Sequence, residues 1–151
     1  MTQPEPQPFT PVVTSFLLRQ TAEGDRILLL RRSGRVRTYQ GAWAGVSGYL
    51  ESGVAPLKQA YTEIREETGV VASQLTLRAS GEPLAFRDES AGEAWIVYPF
   101  LFVVAPHAAV MTDWETLEHG WFAPDAIGAL TAVPRLADAL ARVYPPNGGG
   151  A

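Results

Sequence analysis

The sequence predicts an α/β fold, of the α+β kind, in which helices sandwich a mixed β-sheet. Three observations carry this expectation: short β-rich runs separated by turn residues fill most of the chain, one helix with an apolar stripe interrupts them, and a second amphipathic stretch closes it. Residues 1–8, rich in Pro and Gln, and residues 145–151, "PPNGGGA", are expected to be tails, leaving one domain over residues 9–144.

Within that domain, "PVVTSFLLRQ" from Pro11 and "DRILLLRR" from Asp25 are joined by the turn-like "TAEG" and read as a β-hairpin. A glycine-punctuated segment, "YQGAWAGVSGYLESG" from Tyr39, leads into the helix. Stepping about 100° per residue from Leu57 puts Ala60, Tyr61, Ile64 and Thr68 on one stripe, the expected core face. Beyond Gly69 come "QLTLRAS", the turn-bearing "EPLAFRDESAG" and a strong strand signal, "AWIVYPFLFVVA" from Ala94. "HGWFAPDAI" then supplies a short strand and a Pro-started helical turn, and "VPRLADALARVY" reads as the final helix.

Composition narrows the chemistry. The 151 residues include no cysteine and only two histidines, His107 and His119, so thiolate nucleophiles, disulfides and zinc clusters are excluded and any metal must be held mainly by oxygen. A net charge of -4 with scattered basic residues argues against a nucleic acid polymer as partner. No stretch is apolar enough to span a bilayer and "MTQPEPQPFTP" lacks the features of a signal peptide, so a cytoplasmic protein without membrane association is expected.

The helix carries its acids at the wrong end. "TEIREETGV" places Glu63, Glu66 and Glu67 in the last turns, where the helix dipole disfavours negative charge by about 0.3–1 kcal/mol each. They share one flank at i,i+3 and i,i+4 spacing and repel, whereas Lys58 and Arg65 lie on the other flank. Acids on a solvated helix face are common, but a divalent cation would reverse both penalties.

Extended backwards, the stretch becomes "GYLESGVAPLKQAYTEIREETGV", Gly48 to Val70, and it resembles the signature box of the Nudix hydrolases. Gly48, Glu63, Ile64, Glu66, Glu67, Gly69 and Val70 fall in register. The flanking "GAWAGVSGYLE" and "HGWFAP" also look like the family. Val54 and Thr62 depart from the usual Glu and Arg, and losing both members of such a pair is far less damaging than losing one.

The resemblance implies a Nudix-type α-β-α sandwich and Mg2+- or Mn2+-dependent hydrolysis of the pyrophosphate linkage in a small-molecule nucleoside diphosphate derivative. It implies Glu63, Glu66, Glu67 and the carbonyl of Ser47 as metal ligands, with these glutamates also catalytic. A further catalytic acid is expected from "TDWETLEHGWF", with Glu115 favoured over Glu118. Arg31 and Arg32, at a strand end, are candidate phosphate ligands, one of them expected to be only a solvated strand end. Trp43, Tyr49, Phe86 and Tyr98 are the candidate stacking platforms, with Trp43 and Tyr49 expected to touch substrate. His119 is either a general base or a surface histidine. A catalytically silent Nudix-fold module that binds a nucleotide or a protein is the alternative, which the retained glutamates disfavour. The "FRDESAGEAW" and "GRVRTYQGAW" segments are expected to set specificity. The apolar "WIVYPFLFVV" run exceeds what one buried face requires, an excess that a homodimer would use.

Overall fold

The computed structural model describes residues 7–145, so the expected tails fall outside the described residues except for Gln7, Pro8 and Pro145. Eight strands and two α-helices follow one another: β1 (Thr10–Thr21), β2 (Gly24–Arg32), β3 (Trp43–Ala44), β4 (Val46–Tyr49), α1 (Pro56–Thr68), β5 (Leu75–Ser80), β6 (Leu84–Asp88), β7 (Glu93–Val104), β8 (Thr116–Phe122) and α2 (Leu136–Ala141). Short 3-10 turns occupy Ala72–Gln74 and Pro124–Ala129.

β1 and β7 run parallel at the centre of the mixed sheet, from Thr10 opposite Trp95 to Leu18 opposite Val103. Each is forked on its outer edge. β1 pairs with β4 over Val12–Ser15 and with β2 over Leu18–Thr21. β7 pairs with β6 in its first half and with β5 in its second. The outer strands β3 and β8 both pair with β2.

Strand alternation divides the core into two layers. Val13, Leu17, Leu28, Leu30, Phe100 and Phe102 pack with Ala60 and Ile64 of α1 on one face. Phe16, Leu18, Ile27, Leu29, Trp95 and Leu101 pack with Leu136, Ala139 and Leu140 of α2 on the other. β7 contributes to both layers, so most of its apolar run is buried within the one chain, with Ile96, Tyr98 and Val103 half-buried.

The last helix is shorter than the sequence predicts. Ala132 bridges to Trp43, and the Val133 N–H donates to the Trp43 carbonyl at 2.9 Å, which holds this segment extended. Arg135, with φ of 64°, then takes a left-handed conformation, so the helix begins only at Leu136.

Candidate active site

Helix α1 starts at Pro56, whose missing N–H is no loss in the first turn. It stops at Gly69, left-handed with φ of 75°, whose N–H donates to the Arg65 carbonyl at 2.9 Å. Ala60, Ile64 and Thr68 are buried as the stripe predicts, and Tyr61 is half-buried against Phe102. Gln59, also buried, is the residue the stripe misses.

Gln59 connects the loop, the helix and one acid. Its Oε1 accepts from the Glu51 N–H at 3.1 Å and its Nε2 donates to Glu63 Oε1 at 3.0 Å. The Glu63 carboxylate in turn lies against the backbone of β4. A Cβ at Gly48 would sit 2.1 Å from Glu63 Cδ, so only glycine leaves room for the acid. Val54 and Thr62, the positions that depart from the signature, are held by local bonds. The Val54 N–H donates to the Glu51 carbonyl at 3.1 Å and the Thr62 hydroxyl to the Lys58 carbonyl at 3.1 Å.

Glu63 and Glu67 open into a cavity of about 400 Å³. Its acidic end is lined by Arg32, Ser47, Gly48, Glu51, Glu63, Glu67 and Glu115, and its aromatic end by Tyr39, Tyr49, Phe86 and Trp95. Burial, followed by the charges of Glu63 and Glu115, holds the Glu67 carboxyl well above the ordinary carboxylate range, against the opposing pull of Arg32 and the Ser47 N–H. Burial also raises Glu63, opposed by the Gln59 hydrogen bond and reinforced by Glu66, Glu115 and Glu51. Glu67 Oε2 is buried with no hydrogen-bond partner.

The remaining candidates separate cleanly. Arg32 faces the cavity, its Nε donating to the Thr38 carbonyl at 2.8 Å. Arg31 lies outside the lining, donating to the Gly41 carbonyl at 3.0 Å and pairing with Glu118 at 3.3 Å. Adjacent strand residues point to opposite faces, so Arg32 shares the face of Leu28 and Leu30 towards α1, and Arg31 the face of Ile27 and Leu29. Of the two candidate acids, Glu115 precedes β8 and lines the cavity, whereas Glu118 lies within β8 opposite Arg31 and does not. Tyr49 lines it too, whereas Trp43 packs edge-on against Phe122 at 4.9 Å, outside the lining. Phe86 is at the aromatic end, Tyr98 packs against the α1 layer, and His119 is exposed on β8. Glu66 is exposed on α1 and lies outside the cavity lining.

A model of the NUDIX domain matches residues 8–144. The chain belongs to the Nudix family. Solved Nudix structures share the fold at low identity. A Nudix hydrolase from M. smegmatis, RenU, is 22% identical with a TM-score of 0.72, over 87% of this chain and 80% of that one. A C. elegans Ap4A hydrolase in a binary complex is 19% identical with a TM-score of 0.75, over 88% and 93% of the two chains. The NUDIX domain of Shewanella oneidensis NrtR, complexed with ADP ribose, is 12% identical with a TM-score of 0.70, over 90% and 86%.

Nudix hydrolases are generally dependent on a divalent metal, and the donors present suit a hard cation. They are all oxygens, one of them a buried carboxylate oxygen without a partner, beside a glycine that admits a second acid. Among the described residues no group of three or more His, Cys, Asp or Glu side chains is gathered closely enough to hold a metal ion by itself. An open flank of carboxylates is the arrangement through which Mg2+ is shared with substrate phosphates and water. Among the described residues no helix is long and apolar enough to cross a membrane.

Proposed function

We propose that this Nudix hydrolase cleaves the pyrophosphate linkage of a nucleoside diphosphate derivative with Mg2+ or Mn2+ held by Glu63, Glu66, Glu67 and the Ser47 carbonyl. The observation that carries the reading is the buried, partnerless Oε2 of Glu67, set between Glu63, Glu115 and Ser47 at the acidic end of the cavity. An ionised carboxylate left that way costs free energy that only a cation or a proton offsets.

When bound, the cation neutralises phosphate charge and lowers the pKa of water in its shell. Arg32 supplies a fixed positive charge for the phosphate oxygens, and its Nε bond to Thr38 restricts the guanidinium. Gln59 and Gly48 hold Glu63 against β4. Glu115, the cavity acid on the opposing loop, orients the attacking water and accepts its proton. Water adds to phosphorus, the bridging P–O bond breaks and the second phosphate leaves with the electron pair, so most of the catalytic task is positioning and charge neutralisation. Tyr49, Phe86 and Trp95 receive the nucleoside.

The test is hydrolysis of a panel containing ADP-ribose, dinucleoside polyphosphates, nucleotide sugars and nucleoside triphosphates, with Mg2+, Mn2+ or chelator, by wild type and Glu66→Gln. Cation-dependent release of a nucleoside phosphate that collapses in the variant supports the reading. Saturable binding without turnover of any compound overturns it in favour of a binding module.

A further inference from the structure

The aromatic end of the cavity has a feature that diphosphate hydrolysis does not require. Among the described residues, the non-glycine positions with left-handed backbone are Tyr39, with φ of 50°, and Arg135, with φ of 64°. Both line this cavity. Such conformations persist where the surrounding structure enforces them, and they cluster at ligand sites.

The polar groups here are largely committed within the protein. Trp95 Nε1 donates to the Tyr39 hydroxyl at 3.0 Å, which donates to Asp88 Oδ2 at 2.8 Å, and Ser90 donates to Asp88 Oδ1 at 2.7 Å. Arg37 donates to the Tyr49 hydroxyl at 3.1 Å, leaving that hydroxyl its proton. Arg135 differs. Its Nε pairs with Asp138, its guanidinium carbon is 5.6 Å from the Phe86 ring centre, and its two terminal nitrogens make no hydrogen bond among the described residues. The groups left at this end are therefore donors, two of them in a rigid fork at the rim beside apolar ring faces.

We propose that Arg135 is a specificity residue, whose terminal nitrogens read the adjacent acceptors N7 and O6 of a guanine or hypoxanthine base. The assignment rests on the proposed function for the placement of the phosphates at the acidic end. A donor fork matches two neighbouring acceptors, whereas adenine sets an amino donor beside N7 and is rejected. One bidentate contact of this kind discriminates by about 10- to 100-fold. The left-handed backbone sets where the side chain leaves the chain, and the pair with Asp138 occupies Nε so that the two terminal nitrogens are the ones presented.

The experiment is calorimetric titration with GMP, IMP, AMP and 7-deaza-GMP, which carry no pyrophosphate linkage to cleave. Wild type is compared with Arg135→Asn, which tolerates left-handed backbone, and with Arg135→Lys, which keeps the charge but loses the fork. The expected result is a GMP-to-AMP preference of at least about tenfold, shared by IMP, diminished for 7-deaza-GMP and lowered towards unity in both variants. Because the readout is a ratio, a general loss of affinity does not imitate it. Equal affinity of wild type for GMP and AMP, or a preference that survives in Arg135→Asn, overturns the assignment. A guanine preference that depends on Arg135 supports it even where the hydrolysis panel shows no turnover, and hydrolysis without base preference overturns this assignment alone.

Discussion

Replacing Gly48 by alanine separates the stability of this fold from its chemistry. The new Cβ would fall 2.1 Å from Glu63 Cδ and 2.4 and 2.5 Å from its oxygens, and ordinary contact begins near 3.4 Å, so the carboxylate must retreat by more than 1 Å. Gly48 does not have a left-handed backbone, so alanine adds no dihedral strain and contributes about 0.4–1 kcal/mol through the unfolded state. Against this, Glu63 loses its bond from Gln59, a charged hydrogen bond worth about 1.5–3 kcal/mol. Gly48→Ala should therefore lose only about 0.5–2.6 kcal/mol in urea denaturation. A displacement of about 1 Å at a catalytic group lowers turnover by roughly 100-fold, and kcat under saturating Mg2+ is the assay. A variant with unchanged kcat would refute the reasoning, because Glu63 would then not work from the position it occupies.

Other substitutions probe the neighbouring residues. Gln59→Leu should lose about 1–3 kcal/mol, because the part-buried bonds to the Glu51 N–H and to the Glu63 carboxylate are both lost, and kcat should fall with it; denaturation and steady-state kinetics check both. Glu67→Gln should abolish turnover yet fold at least as stably as wild type at neutral pH in chelator. The sign follows from the raised Glu67 carboxyl: its protonated form favours folding, a contribution fully present below about pH 4 and lost as pH rises through the folded value. Wild type in chelator should thus gain stability relative to Glu67→Gln as pH falls from neutral towards about 4, measured by denaturation at each pH. Glu115→Gln should lower kcat, whereas Glu118→Gln, which breaks a half-exposed pair worth about 0–1 kcal/mol, should leave it within about twofold.

The sequence carried the acids more clearly than their supports. Carboxylates at i,i+3 and i,i+4 define a helix flank by geometry alone, and a glycine after them marks the helix end, so Glu63, Glu66, Glu67 and Gly69 are legible without a fold. The two core layers are also foreshadowed, since β1, β2 and β7 carry near-continuous apolar runs, as strands covered on both faces do. Gln59 is not legible, because its burial depends on a loop N–H and a carboxylate brought together only by folding. The division between Arg31 and Arg32 was half-readable. Alternation says that neighbours diverge, but which one meets the cavity depends on which face of β2 packs beneath α1, and that is decided only when the sheet assembles. Left-handed Tyr39 and Arg135 give no local signal, since neither is a residue that favours that conformation, and the late start of α2 follows from the bridge between Ala132 and Trp43.

The central claim is that the carboxylates of α1 are clustered for a divalent cation. Binding of Mn2+ followed by electron paramagnetic resonance, in wild type and Glu67→Gln at neutral pH, tests it most directly. The account predicts saturable binding to wild type that weakens by at least about tenfold in the variant, as expected when a metal ligand is removed. Equal binding by the two proteins, or none by wild type, would contradict it.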